Sequence, residues 1–444
     1  MRAAPVKDPA RRTAVEVVLA VDREAAYANL LLPRLLRERA LSARDAAFAT
    51  ELAYGTLRWQ GVLDEILAAA SGRDVAALDP QVRAVLRLGA YQLMHTRVAT
   101  HAAVSATVEV GKQVSGHRSA GLVNAVLRRV SELDWPRWVA RLAPGDGVGR
   151  TAFEHGYPVW IAQAFLDALD GDVAELEHAL SADRPVTHLA ALPGGLDRDR
   201  LVRLAADGAV AGPFSPYAVH LAGGDPGRIA AVQDGRAQVQ DEGSQLVALA
   251  LARAAVDGAD QRWLDLCAGP GGKARLLGRL PGAGRLVAAD IHPHRAALIR
   301  NPANPVPVLV ADGTRPPWRP GSFDRVLLDA PCSGLGALRR RPEVRWRRRP
   351  EDVDALVALQ RALLDSALDA VRPGGVIVYA TCSPHLAETR DVVRSALART
   401  ARIEQLDARA LLHGVPELGT GPDVQLWPHR HGTDAMYVAV LRRK

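Results

Sequence analysis

The stretch Arg262-Trp263-Leu264-Asp265-Leu266-Cys267-Ala268-Gly269-Pro270-Gly271-Gly272-Lys273 reads as a short strand running into a glycine-rich turn. Glycines there permit a tight turn and close backbone approach by a ligand. Outward from this stretch a helix is expected through Leu246 to Ala250, and strand and helix patterns then alternate to the C-terminus. The expected strands are Arg262 to Leu266, Arg285 to Ala289, Val306 to Val310, Phe323 to Leu328 and Val376 to Ala380. That order implies a doubly wound α/β domain over residues 237–444, whose ligands bind beyond the carboxyl ends of the strands.

The glycine turn alone is ambiguous. Gly269-x-Gly271-x-x-Ala274 satisfies a loose dinucleotide fingerprint, with Asp290 roughly 20 residues on, where a ribose-binding acid would stand. A phosphate loop fits less well, because Cys267 stands at a required glycine and Ala274 at a required Ser or Thr. Two further strand-end acids, Asp312 and Asp329, join Asp265 and Asp290 to line one crevice. Several carboxylates repel a pyrophosphate but suit a cationic sulfonium with ribose hydroxyls and an exocyclic amine, as in S-adenosylmethionine.

Two thiols follow strands at the same sheet edge, in Asp329-Ala330-Pro331-Cys332-Ser333-Gly334-Leu335-Gly336 and in Thr381-Cys382-Ser383-Pro384. Cytosine C5 is too weak a nucleophile to take a methyl group directly, but thiolate addition at C6 makes an enamine whose C5 can. A free thiol is only a few per cent ionised at neutral pH, so a helix N-terminus, with Ser383 as cap and Pro384 in the first turn, is expected to activate Cys382. Asp329 is expected to hold the base at N3 and the exocyclic amine. Either cysteine could attack on these grounds, and buried free cysteines are often only small hydrophobes. Cys267 is assigned a structural place in the turn.

Ahead of this domain, residues 1–140 form an Ala/Leu/Val-rich helical region. Ser42 suits a helix cap and Pro80 a helix's first turn, so several short helices are expected rather than one rod. Pro136 and Pro144-Gly145-Asp146-Gly147 suggest a linker, and residues 150–236 a small α+β linking domain. The chain has 444 residues, enough for two or three domains, and a formal charge of +7 that suits a polyanion. Nearly all of that charge is arginine, since Lys7, Lys112, Lys273 and Lys444 are the only lysines, so a compositional bias explains it equally well. Three cysteines without zinc-site spacing argue against a metal and for a reducing compartment. Met1 to Arg12 lacks the apolar core of a leader and no window suits a membrane span. A cytoplasmic, monomeric protein is expected.

In these motifs and their order, the sequence resembles the Sun/Fmu-type family of RNA cytosine-C5 methyltransferases. Its helical front looks like the NusB-like RNA-binding domain of one branch, the bacterial 16S ribosomal RNA methyltransferases B. The resemblance covers most of the chain. It implies a Rossmann-like class I methyltransferase domain preceded by an all-α NusB-like domain, with S-adenosylmethionine as cofactor and RNA, of the 16S small-subunit kind, as substrate. By the resemblance Cys382 is the nucleophile and Cys332 aids release of the methylated RNA. Cys267-Ala268-Gly269-Pro270-Gly271-Gly272-Lys273, Asp290, Asp312 and Asp329 are then the cofactor set. Two stretches depart from the family pattern: Ala268-Gly269 stands where Ala-Ala is common, and Thr433-Asp434-Ala435-Met436 where an Asp-Gly-Phe-Phe-like strand entry is usual.

Between the thiol motifs lies the run Arg339-Arg340-Arg341-Pro342-Glu343-Val344-Arg345-Trp346-Arg347-Arg348-Arg349. Guanidinium groups such as those of Arg339, Arg340 and Arg345 are expected on RNA phosphates, with Trp346 stacked on a base. Two other readings compete. One is a non-catalytic RNA-binding or ribosome-assembly factor. The other makes Cys332 the nucleophile, as in DNA cytosine methyltransferases, where the attacking thiol follows a proline. A dehydrogenase reading rests on the loose glycine pattern and gives the paired thiols no role.

Overall fold

The computed structural model describes residues 8–205, 207–300 and 306–444. The first seven residues of the expected helical domain, Lys7 among them, lie outside the described residues. The chain divides into two compact units. The first runs to Leu166 and takes back Asp172–Ser181 and Arg340–Arg348; the second holds Asp167–Gly171, Ala182–Arg339 and Arg349–Lys444.

The first unit is helical: α1 Pro9–Glu24, α2 Ala28–Glu38, α3 Ala43–Ser71, α4 Pro80–His95, α5 Thr100–Val114, α6 Ala120–Val130, α7 Trp135–Leu142 and α8 Gly147–Glu154. Helices α9 Val159–Ala168 and α10 Val173–Ser181 follow. The expected caps form. Ser42 Oγ accepts from the Asp45 N–H at 3.1 Å, and Pro80 opens α4 behind Asp79, whose carboxylate accepts from Gln81 N–H at 2.8 Å. Val15, Val18, Leu52, Leu63, Val85, Leu88 and Leu127 are fully buried and form one core. At 29 residues, α3 is longer than the short helices expected. The expected linker joins two helices of one unit: Pro136 sits in the first turn of α7, Gly147 begins α8, and Pro144-Gly145-Asp146 is the short irregular connection between them. A proline in a first turn sacrifices no helical hydrogen bond, so it marks a helix start as readily as a break.

The second unit opens with a four-stranded antiparallel sheet, β1 Thr187–Ala191, β2 Val210–Ala211, β3 Ala218–Leu221 and β4 Ala237–Val239, in the order β2-β3-β1-β4. Helices α11 Arg198–Leu204 and α12 Ala230–Gln233 accompany it. The stretch read as one linking domain is therefore shared: its helices as far as Ser181 fall mainly in the first unit, its strands in the second.

Helix α13 Glu242–Arg253 leads into β5 Arg262–Asp265, α14 Gly272–Leu277, β6 Arg285–Asp290, α15 Pro293–Ile299, β7 Val308–Val310 and β8 Phe323–Asp329. After α16 Val344–Arg347, which belongs to the first unit, come α17 Glu351–Ala370, β9 Val371–Thr381, α18 Arg390–Arg399, β10 Ile403–Leu406, β11 Val424–Gln425, α19 Pro428–His431 and β12 Tyr437–Arg443. The sheet order is β10-β12-β9-β8-β5-β6-β7. Strands β5 to β9 pair in parallel, and β12 runs antiparallel to β9, β10 and β11. Leu264, Val326, Ile377 and Val378 are fully buried, as expected of a parallel sheet covered on both faces. The chain order reverses between β5 and β8, and this switch point opens the crevice at the strand ends. Among the described residues no helix is long and apolar enough to cross a membrane.

Candidate active site

The turn between β5 and α14 is built by close approach. Gly271 adopts φ +104°, and a Cβ there would lie 3.0 Å from the Ile299 backbone. A Cβ at Gly269 would lie 2.4 Å from Asp290 Oδ2, so the departure from Ala-Ala admits the carboxylate into the turn. Gly269 N–H donates to that oxygen at 3.0 Å, and His292 N–H to Asp290 Oδ1 at 2.9 Å. Asp312 accepts from the N–H and hydroxyl of Thr314, at 2.9 and 2.7 Å, which lowers its pKa. Asp290 and Asp312 thus also brace their own turns.

Asp265 differs. It is 1% exposed, and neither carboxylate oxygen has a hydrogen-bond partner in the protein. Burial, with Asp329 and Asp290 nearby, pushes its pKa up to about 8 against the pull of Lys273. An unsatisfied buried acid beside two more carboxylates and a glycine turn fits a cationic ligand carrying N–H or O–H donors. The Cys267 thiol is pushed upward by burial and then by Asp265, Asp329 and Asp290, which disfavours its thiolate.

Strands β8 and β9 bring the two thiols together. Cys332 Sγ and Cys382 Sγ are 3.4 Å apart, and Gly336 N–H donates to the Cys382 carbonyl at 2.9 Å. Their surroundings differ. The hydrogen bond with Cys382, burial, and the nearby charges of Cys382, Glu388 and Asp329 hold the Cys332 thiol well above its ordinary pKa. Lys273 donates to Asp329 Oδ2 at 2.7 Å; burial works against its charge, yet Asp329, with Cys382 and Asp265, holds its pKa up. The Lys273 cation, held by Asp329, thus interacts electrostatically with Cys382, and a neutral thiol touches it.

The expected helix start after Cys382 does not form. Ser383 and Pro384 lie in irregular chain, a 3₁₀ turn covers Leu386–Glu388, and α18 begins at Arg390. The Ser383 hydroxyl accepts from the His385 N–H at 3.2 Å, as a cap does, and donates to Glu388 at 2.7 Å. Sequence reading passed over Glu388, whose chain spacing carries no motif, although it joins the two thiol loops.

The arginine run also differs from expectation. Arg339 is buried, its Nε donating to Asp434 at 2.8 Å and its Nη2 to the Gly432 carbonyl at 2.8 Å, and this pairing anchors the unusual entry to β12. Arg345 is 0% exposed; it donates to the Gly156 carbonyl at 2.9 Å and its guanidinium carbon lies 3.5 Å from the Tyr157 ring centroid. Trp346 donates to the Arg58 carbonyl at 3.0 Å, and a Cβ on Gly61 would lie 2.1 Å from its ring. These three side chains are turned into the protein, where carbonyls, an aromatic face and a carboxylate hold them. Arg340 is half-buried.

A parallel sheet with a glycine turn after β5 and an antiparallel β12 beside β9 defines a Rossmann-like methyltransferase domain, and a NusB-like helical domain precedes it. Residues 8–132 match the model of the NusB family, and residues 254–442 the model described as 16S rRNA methyltransferase RsmB/F. A protein of Mycobacterium tuberculosis named as a methyltransferase is 56% identical, over 98% of this chain and 97% of its own length. The ribosomal RNA small subunit methyltransferase B of Pseudomonas putida is 34% identical over 89% of this chain and 91% of its own. Among solved structures, that of PH0851 aligns with a TM-score of 0.83 at 21% identity, over 99% of this chain and 100% of its own. NSun6 from Pyrococcus horikoshii, solved with SFG, aligns at 0.53 and 17% identity over 64% and 98%, so both describe the fold. The chain belongs to the RsmB/F family of 16S rRNA methyltransferases.

Proposed function

We propose that this enzyme methylates C5 of a cytosine in 16S ribosomal RNA, in the cytoplasm, with S-adenosylmethionine as methyl donor and Cys382 as nucleophile. The observation that carries the reading is the 3.4 Å contact between two thiols in unlike surroundings, one beside Lys273 and the other held neutral. Bound S-adenosylmethionine supplies an electrophilic methyl group. The backbone from Cys267 to Lys273, with Asp290 and Asp312, would hold it, and Asp265 would balance its charge.

Cys382 thiolate adds to C6, and the electron pair of the C5–C6 double bond moves onto C5, which takes the methyl group as the S–CH₃ bond breaks and leaves its pair on the departing thioether sulfur. Asp329, one oxygen already held by Lys273, holds N3 of the base through a shared proton, which offsets charge as the adduct forms, and accepts from the exocyclic amine. A base then removes the C5 proton, that electron pair rebuilds the double bond, and the C6–S bond breaks with its pair returning to the Cys382 sulfur. The S–H of Cys332 hydrogen-bonds the departing thiolate, which accounts for its role in release. A paired cytosine cannot present C6, so the target is unpaired or flipped.

Cys382→Ala is expected to abolish methyl transfer while calorimetry still detects S-adenosylmethionine binding. Cys332→Ala is expected to accumulate covalent protein–RNA adduct. RNA containing 5-fluorocytosine should trap the enzyme at Cys382; an adduct mapped to Cys332 would reverse the roles. Comparing 5-methylcytosine in 16S rRNA from cells with and without the protein identifies the target.

A further inference from the structure

Glu388 lies at the end of the 3₁₀ turn before α18 and is 0% exposed. Its Oε1 accepts from the Ser333 N–H at 2.7 Å and from Gln360 Nε2 at 3.1 Å. Its Oε2 accepts from the hydroxyls of Ser333 at 2.5 Å and Ser383 at 2.7 Å, which are themselves 3.1 Å apart. Ser333 follows Cys332 and Ser383 follows Cys382, so one carboxylate grips the residue after each thiol. Gln360 also donates to the carbonyl of Pro331, before Cys332, at 2.9 Å, and Tyr379 Oη donates to the Glu388 carbonyl at 2.7 Å. A buried carboxylate is costly to desolvate, and four hydrogen bonds are what offset that cost here. A glutamine could hold a similar shape, its NH₂ on the two hydroxyls, which accept as well as donate, but it would remove the charge that strengthens all four bonds.

We propose that Glu388 is a positioning residue that clamps the turn after each thiol and so sets the Cys332–Cys382 contact on which release of methylated RNA depends. The proposal rests on the reading of Cys382 as nucleophile and Cys332 as the group that assists its departure. The leaving sulfur of Cys382 gains the electron pair of the broken C6–S bond and is stabilised by the S–H of Cys332, which keeps its proton. Among the described residues, the carboxylates of Asp329 and Glu388, the Cys382 thiol, Lys273 and the Tyr379 phenol, which burial, Cys332 and Glu388 keep protonated, are charged or titratable groups that act around this pair. The charge of Glu388 also opposes ionisation of Cys332.

The test uses the full-length enzyme with RNA substrate and S-adenosylmethionine, comparing wild type with Glu388→Gln. Turnover is expected to fall about tenfold or more while covalent RNA adduct at Cys382 accumulates. Because the charge opposing Cys332 ionisation is gone, accumulation should begin at a lower pH than any seen in wild type. S-adenosylmethionine affinity and the rate of adduct formation with 5-fluorocytosine RNA should stay within about twofold. Ser383→Ala, which removes one donor to the clamp, is expected to shift release the same way by a smaller factor and serves if Glu388→Gln does not fold. Adduct formation, cofactor binding and turnover falling together would mean Glu388 merely supports the fold and would overturn the proposal. Unchanged turnover in both variants would overturn it as well. A wild-type enzyme that forms no adduct at Cys382 would instead defeat the underlying assignment of the nucleophile.

Discussion

Asp265 is a buried acid whose protonation is coupled to folding and binding. Its folded pKa of about 8 lies above the unfolded carboxyl value, so the native protein binds the extra proton between about pH 4 and 8. Its contribution to stability is full below the unfolded value and is lost as pH rises through the folded one. Asp265→Asn is therefore expected to flatten the fall of the thermal midpoint between pH 5 and 9. A cationic ligand favours the ionised form, so S-adenosylmethionine binding near pH 7 should release a proton from wild type and not from the variant. Calorimetry in buffers of different ionisation enthalpy measures this, and equal release from both proteins would remove Asp265 from the site's electrostatics. Its place at the end of an expected strand and the convergence of Asp290 and Asp329 on the same crevice were legible in the sequence. Its missing hydrogen-bond partners were not, because they depend on how the surrounding side chains pack in space.

The turn after β9 shows where element-level reading failed. Ser383-Pro384 has the local form of a helix start, and the Ser383 hydroxyl does accept from the His385 N–H while donating to Glu388, but only a 3₁₀ turn follows and the helix waits until Arg390. A capping signal is local, whereas the turn that takes the helix's place carries Glu388 into a buried network. The cation beside Cys382 comes from α14 instead, through Lys273. Lys273→Met keeps the aliphatic stem and removes the charge, so alkylation of Cys382 by iodoacetamide at neutral pH should slow. Cys332 should react no faster. Since Asp329 loses its partner while staying partly exposed, the second unit should lose about 1–3 kcal/mol of stability in denaturant titration. An unchanged alkylation rate would mean that Lys273 does not promote the thiolate. The five parallel strands were readable from alternation, whereas β10, β11 and β12, which complete the sheet, were not among the strands expected.

At the scale of the molecule, the helical unit reclaims Arg340–Arg348 from deep in the second half of the sequence. In the sequence this run looks like a phosphate-binding surface, because its partners lie far away along the chain; the carbonyl that accepts from Trp346 is 288 positions earlier. Arg347 donates to the carbonyls of Val21, Ala25 and Ala26, at 2.9, 3.0 and 2.6 Å, where the last turn of α1 and the chain just beyond it would otherwise leave acceptors unmet. Glu343 accepts from Ala28 N–H at 3.3 Å, at the start of α2. The two readings of the run differ in what salt and denaturant should reveal. Phosphate contacts by Arg345 would make Arg345→Ala lower the salt dependence of RNA binding while leaving stability unchanged. An internal anchor makes the same substitution destabilise the helical unit and leave the salt slope as it was. Trp346→Ala should cost about 2 kcal/mol, less than a fully buried tryptophan, and amide exchange should speed up around Arg58 and Gly61. Gly61→Leu approaches the contact from the other side, forcing a side chain into the Trp346 ring, and should lower the same unfolding midpoint. If Arg345→Ala instead flattens the salt dependence and the midpoints of all three variants match wild type, the run faces RNA after all and the buried contacts do not persist in solution.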